Sequence, residues 1–356
     1  MARGISSRFK RRWPLRRRNI IGFMSHSWPV YGHDWAVEHL RKALANGRVR
    51  HAYLIVGAES VGKETLARAF AQALNCAAPD EAARPCGVCR ACKLIAAGSH
   101  PDLLYSELDP STGALRIEEV RAITGRLALK PYEARFRVAI FRDFDHARPQ
   151  AQDALLKTLE EPPPHAIIIL LAPATDALLP TIISRSQTIS LRAVPVEAIR
   201  DVLVERRNAD RRQADLLARL SGGRIGWAIR ALDDPALLEQ RDQALTMLDN
   251  LLALNRAGRF EIAEDLSKDK LALYPLLELW QSYWRDMLMI AEGAALTPAN
   301  KDRYAALERL AETLSPEEAL TALRATRETL QNLNTNLNLR LALEVMFLNY
   351  PGLRRA

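Results

Sequence analysis

Seven residues lie between an apolar run and an alanine-rich stretch: Gly57-Ala58-Glu59-Ser60-Val61-Gly62-Lys63. They have the spacing of a loop that wraps phosphate. Successive backbone N–H groups, the start of a helix and the Lys63 ammonium would converge there on one anion. The residue after the lysine in such loops supplies a hydroxyl to magnesium. Here Glu64 stands in that place, and the hydroxyl arrives one residue late, at Thr65. A carboxylate beside a triphosphate repels it, and the next residue of a helix points about 100° away. Gly57, Gly62, Lys63 and Thr65 are therefore the candidate nucleotide- or phosphate-binding residues of a degenerate loop. The other half of an ATP-hydrolysing site sits at the end of a second strand, where acids hold magnesium and the attacking water is polarised. In this chain the apolar run 137–141 leads into Arg142-Asp143-Phe144-Asp145, with an arginine at the magnesium position. Two separate losses predict that the chain does not hydrolyse ATP by itself, while weak binding of ATP or another nucleotide through the backbone cradle stays open.

All four cysteines fall within seventeen residues, at Cys76, Cys86, Cys89 and Cys92. Disulfides are one reading, but an intracellular phosphate loop argues for a reducing, cytoplasmic compartment. The spacing suits four thiolates closing on one tetrahedral Zn²⁺, with Pro85 and Gly87 turning the chain between them. Four thiolates leave no open position for chemistry, so this zinc would be structural.

These residues need a scaffold, and the apolar periodicity supplies one. Residues 36–46 read as a helix stopped by Gly47, and 52–56 as a buried strand. A helix follows from Lys63, and Ile117, Val120, Ile123 and Leu127 mark another. Residues 137–141 and 166–171 are apolar strands, separated by a helix over 151–161 that three prolines end. Strands alternating with helices predict a parallel, doubly wound α/β sheet. After Ser190 the pattern becomes charged and helical, with a break at Gly222-Gly223. The aromatic cluster Tyr274, Trp280, Tyr283 and Trp284 has helical spacing and reads as core rather than as a platform for stacking bases.

The 356 residues carry 50 basic and 42 acidic side chains, a net charge of +8. Eight of the basic residues lie between Arg3 and Arg18, where there is no acid, so the remainder of the chain is electroneutral. Global charge is thus no argument for nucleic-acid binding. The basic head reads as a disordered extension, with a nucleic-acid arm, a targeting segment or translation upstream of a true start at Met24 as alternatives. No apolar run approaches the roughly 20 residues of a membrane span.

Four segments together resemble the bacterial clamp-loader branch of the AAA+ proteins, most closely its delta-prime type. They are HAYLIVGAESVGKETLA, the four-cysteine module, QDALLKTLEEPPPHA and LLPTIISRS. The stretch Asn336 to Glu344 is similar to the family's last collar helix. The resemblance implies an AAA+ (RecA-like, P-loop NTPase type) α/β domain over 28–190 containing the zinc module 76–92. It further implies a helical lid over 191–241 and an all-α collar over 242–356, after the extension 1–27. It also implies a role as a non-motor subunit of the complex that loads the sliding clamp during DNA replication, within a DNA polymerase holoenzyme. Partners would be the gamma or tau motor subunits, the delta subunit and, through the complex, the sliding clamp and primer–template DNA.

Departures from the motor pattern point the same way. Glu64 and Arg142 replace magnesium-binding residues, Gly226 stands where motors carry a sensor 2 arginine, and Pro173 lies near the polar sensor 1 position. Ser184-Arg185 remains, similar to the family's Ser-Arg-Cys motif with Ser186 for cysteine. By resemblance Arg185, with Ser184, would act in trans as an arginine finger on a neighbour's ATP. Two other readings compete. One is an ATP-hydrolysing motor subunit, favoured by intact Gly57, Gly62 and Lys63. The other is a free-standing zinc-containing nucleic-acid binder that uses the basic head.

Overall fold

A computed structural model describes residues 28–295, 297–333 and 338–353; the basic head lies outside the described residues. Helix α1 (Asp34–Ala45) precedes strand β1 (Ala52–Val56), the phosphate-type loop and α2 (Lys63–Asn75). Then come α3 (Arg90–Ala96), β2 (Leu103–Tyr105), α4 (Ile117–Leu127), β3 (Arg137–Phe141) and α5 (Pro149–Glu160). The α/β part ends with β4 (Ala166–Ala172), α6 (Pro180–Arg185) and β5 (Gln187–Ser190).

Among the described residues the five strands form one sheet in the order β2-β3-β4-β1-β5, and every pairing is parallel. The central strands β1, β3 and β4 bury every residue, as both-sided coverage requires. Alternate side chains go to opposite faces. Tyr53, Ile55, Val138, Ile140 and Ile169 join a core with α1 and α2, while Leu54, Ala139, Phe141, Ile168 and Leu170 join one with α4 and α5. The phosphate-type loop leaves β1, which lies between β4 and the edge strand β5, and this strand order is the AAA+ arrangement.

Beyond the sheet, α7 (Val196–Arg207), α8 (Arg211–Leu220) and α9 (Ile225–Asp233) share a small core around Ile199, Leu203, Leu217 and Ala228. The charged helical stretch after Ser190 opens with two separate helices, because Asn208 adopts a left-handed conformation and Asp210 caps the second. Helices α10 (Ala236–Ala253), α11 (Arg256–Leu266), α12 (Lys270–Ala291), α13 (Tyr304–Thr313), α14 (Pro316–Asn332) and α15 (Leu339–Leu348) follow. Helix α10 runs through position 241/242; its start packs on the three-helix core and its later turns on the core beyond. Trp280, Tyr283 and Trp284 are fully buried there, with the Trp280 indole N–H donating to the Ala244 carbonyl at 2.9 Å. The cluster is core. No helix among the described residues is long and apolar enough to cross a membrane.

Candidate functional site

The phosphate-type loop is held by its glycines and by the helices after the sheet. Gly57 has φ +155°, and a Cβ there would lie 2.6 Å from the Leu191 carbonyl oxygen, so no other residue fits without displacement. Gly62 caps α2 in a left-handed conformation. The buried His33 ring bonds the Val61 carbonyl at 3.0 Å. Lys63 does not project into open space: its Nζ donates to the carbonyls of Gly57 at 2.6 Å and Ala58 at 3.0 Å. Burial lowers its pKa, against the attraction of Asp143 and Asp145. Thr65 is exposed on α2.

The two residues that break the magnesium pattern meet each other. Glu64 Oε1 accepts from Arg142 Nη2 at 2.6 Å and from Arg68 Nη2 at 2.5 Å. The Arg142 guanidinium also lies 4.1 Å from the centroid of the Tyr105 ring, within cation–π range. Its backbone N–H donates to Ser106 Oγ at 2.8 Å, fixing the end of β3 beside β2. Glu64 thus carries two guanidinium groups, Arg68 of its own helix and Arg142 just past β3, and the latter joins α2 to the end of β3 with a cation at the magnesium position. Asp145, next along, is pushed up in pKa by burial.

The three-helix unit closes over the loop from the other side. The Gly226 N–H donates to the Ser60 carbonyl at 2.8 Å, and Arg230 Nη2 donates to Ser60 Oγ at 2.8 Å. Ser60 itself has φ +58°. A Cβ at Gly226 would stand 2.8 Å from that carbonyl oxygen. An arginine at 226 would therefore displace the loop or the helix, which gives the missing basic residue a structural reason.

The four cysteine sulfurs lie within 4.8 Å of one another, and none is in a disulfide. Tetrahedral sulfurs around zinc stand about 3.8 Å apart for Zn–S near 2.3 Å, so the set fits such an ion. Cys76 closes α2, Cys89 caps α3 and Cys92 lies within it. Backbone N–H groups of Cys86, Cys89 and Cys92 donate to the sulfurs of Cys76, Cys86 and Cys89 respectively. The Cys89 and Val88 N–H groups lower the Cys86 thiol to about 6. Burial raises Cys92. Four cysteines are positioned to bind a metal.

Arg185 is the last residue of α6. Pro180 at the first helical turn and a buried anchor, Ile182, wind 180–185 into a short helix. The start of that helix is set by Gln152, a residue that sequence reasoning passed over. Gln152 is 1% exposed. Its Nε2 donates to the Ala147 and Ala177 carbonyls at 2.9 Å each, and its Oε1 accepts from the Leu179 N–H at 2.8 Å. An uncharged side chain inside an amphipathic helix leaves no sequence signal of such a junction. At the exposed end, Arg185 Nη2 contacts Glu160 Oε1 at 2.8 Å, and Nη1 donates to the Thr181 carbonyl at 3.2 Å. Arg185 is separate from the Glu64–Arg142 cluster.

Family models described as "DNA polymerase III, delta subunit" and "DNA polymerase III, delta subunit, C terminal" match residues 32–195 and 235–350. The tau subunit of Escherichia coli is 36% identical over 218 residues, covering 59% of this chain and 33% of tau. The delta' subunit of Pseudomonas aeruginosa is 32% identical over 234 residues, covering 65% of this chain and 66% of that protein. The chain spans about a third of the length of several of the tau and gamma/tau subunits it matches. A gamma-subunit-related protein of Thermotoga maritima superimposes loosely, with TM-score 0.39 and 19% identity over 88% of this chain and 97% of that one. The chain belongs to the clamp-loader subunits of bacterial DNA polymerase III, in their delta-prime branch.

Proposed function

We propose that this chain is a non-motor subunit of a clamp-loader complex, one that supplies Arg185 to a neighbouring ATPase subunit and hydrolyses no ATP itself. The observation that carries the reading is the Glu64–Arg142 ion pair at 2.6 Å. It sets a guanidinium where magnesium would be bound, while Lys63 is engaged by the loop's own carbonyls. Loss of catalysis in cis leaves the exposed Arg185 as the group able to act on nucleotide in trans. A guanidinium stabilises the charge that builds on a transferring γ-phosphoryl group, and arginine fingers raise turnover by about 10³–10⁵. Partners on this reading are gamma or tau and delta, with the sliding clamp and primer–template DNA reached through the assembly, in the cytoplasm. Zinc is the metal that fits the four cysteines, in a structural role, and any nucleotide held at Gly57–Lys63 would be a ligand rather than a substrate. The similarity to tau favours a motor subunit as the competing reading.

The test is a reconstituted complex with Arg185→Ala. DNA- and clamp-stimulated ATP turnover at the site facing this subunit should fall by at least 10³-fold, with folding and assembly unchanged. Arg185→Lys should restore little, since lysine lacks the planar fork. Unchanged turnover would remove the finger, and ATP hydrolysis by the isolated chain that Lys63→Ala abolishes would establish the motor reading.

A further inference from the structure

The guanidinium of Arg185 is already occupied. Helices α5 and α6 end side by side, with Glu160 and Arg185 as their last residues. Their charges meet at 2.8 Å, with 37% of the arginine side chain and 51% of the glutamate exposed. Arg185 Nη1 adds contacts to the Thr181 carbonyl and to Ser184 Oγ, and the C-terminal end of α6 contributes negative potential to the same spot. We propose that Glu160 is a positioning residue which holds Arg185 in a parked state and competes with the γ-phosphate of a neighbour's ATP for its guanidinium. The proposal rests on Arg185 acting in trans.

The physical basis is an exchange of anions. In the parked state Nη2 faces the carboxylate, and to engage phosphate it must leave. Because both partners are partly exposed, the pair is weak and shifts an equilibrium by no more than about fivefold. That is enough to hold the side chain in one place in the absence of a neighbour's triphosphate. It is too little to prevent transfer to an anion of higher charge. The parked fraction reduces the population of finger able to bind, and so weakens apparent ATP affinity by the same factor. Ground state and transition state lose equally, so the effect belongs in KM rather than in kcat.

The experiment uses the reconstituted complex and takes as its signal the part of stimulated ATP turnover that Arg185→Ala removes. Glu160→Gln keeps the shape and deletes the charge. It should lower KM for ATP in that component two- to fivefold and leave kcat unchanged, whereas Glu160→Asp should stay near the parent value. The difference between parent and Glu160→Gln should shrink at about 0.5 M salt, where an exposed pair is screened. If Arg185→Ala suppresses turnover but Glu160→Gln leaves KM unchanged or raises it, parking is overturned and the finger survives. If Arg185→Ala itself has no effect, the finger and its parking both fall.

Discussion

Glu64 and Arg142 are 78 residues apart in sequence, and each is a poor choice without the other. Glu64 alone would place a carboxylate at the mouth of an anion-binding loop, and Arg142 alone would end a buried strand with an unpaired guanidinium. Together they neutralise one another, with Arg68 and the Tyr105 face completing the cluster. Both side chains are more than a third exposed, so solvent screening keeps their coupling in stability small, about 0.5–1 kcal/mol in a double-mutant cycle. Their effect on ligand choice is larger. Glu64→Thr alone leaves Arg142 in the magnesium position and should not create magnesium-dependent ATP binding. Glu64→Thr with Arg142→Asp restores both ligand types, and titration calorimetry should show tighter binding of Mg-ATP than with either single change. Equal binding by Glu64→Thr alone would show that Arg142 does not exclude the metal. At this scale the sequence is legible as a pair of departures from a motif. Their contact is not, since nothing local in either segment encodes it.

Elements were legible where burial is two-sided or spacing is strict. The apolar strands β1, β3 and β4 and the helices α2, α4 and α5 follow from their patterns. Strands β2 and β5 do not: one has only three residues, and the other, QTIS at the sheet edge, buries only Ile189. Helix α6 escapes because six residues are too few for a period to be recognised. The cysteine module is the opposite case, a short segment whose spacing alone brings four sulfurs together. It fastens the end of α2 to α3, and two further bonds lock it to its surroundings. Gln72 Nε2 donates to the Cys92 carbonyl at 2.8 Å, and Arg135 Nη2 donates to that of Cys76 at 3.0 Å. Metal analysis of protein purified without chelator should give one zinc per chain. Removing it with a strong chelator should lower the Tm of the α/β unit by on the order of 10 °C, because structural zinc contributes binding energy directly to folding. An unchanged melting curve after verified metal loss would mean that the thiols pack adequately without an ion.

For the whole molecule, the proposed assembly can be tested on the last helix. One face of α15 is core: Leu343, Met346 and Phe347 are buried, with Phe347 against Trp280 of α12, and just past the helix Tyr350 hydrogen-bonds Thr326 of α14. On the same helix Leu341, Val345 and Leu348 remain half-exposed. Their spacing of four and three residues puts them on one stripe. An apolar stripe beside a packed core fits a helix shared between subunits, and it suits the proposed collar over 242–356. Covering the exposed half of each side chain would contribute about 1 kcal/mol, and a glutamate there must lose hydration as well. Leu341→Glu with Val345→Glu should therefore weaken incorporation into the complex by at least about 10²-fold. The isolated chain should keep its helical circular dichroism and the metal content of the parent, since neither side chain supports the core. Copurification with the motor subunits and size-exclusion chromatography of the reconstituted mixture would measure the loss. Full incorporation of the double variant would place the subunit contacts elsewhere on the molecule and leave this stripe as ordinary surface.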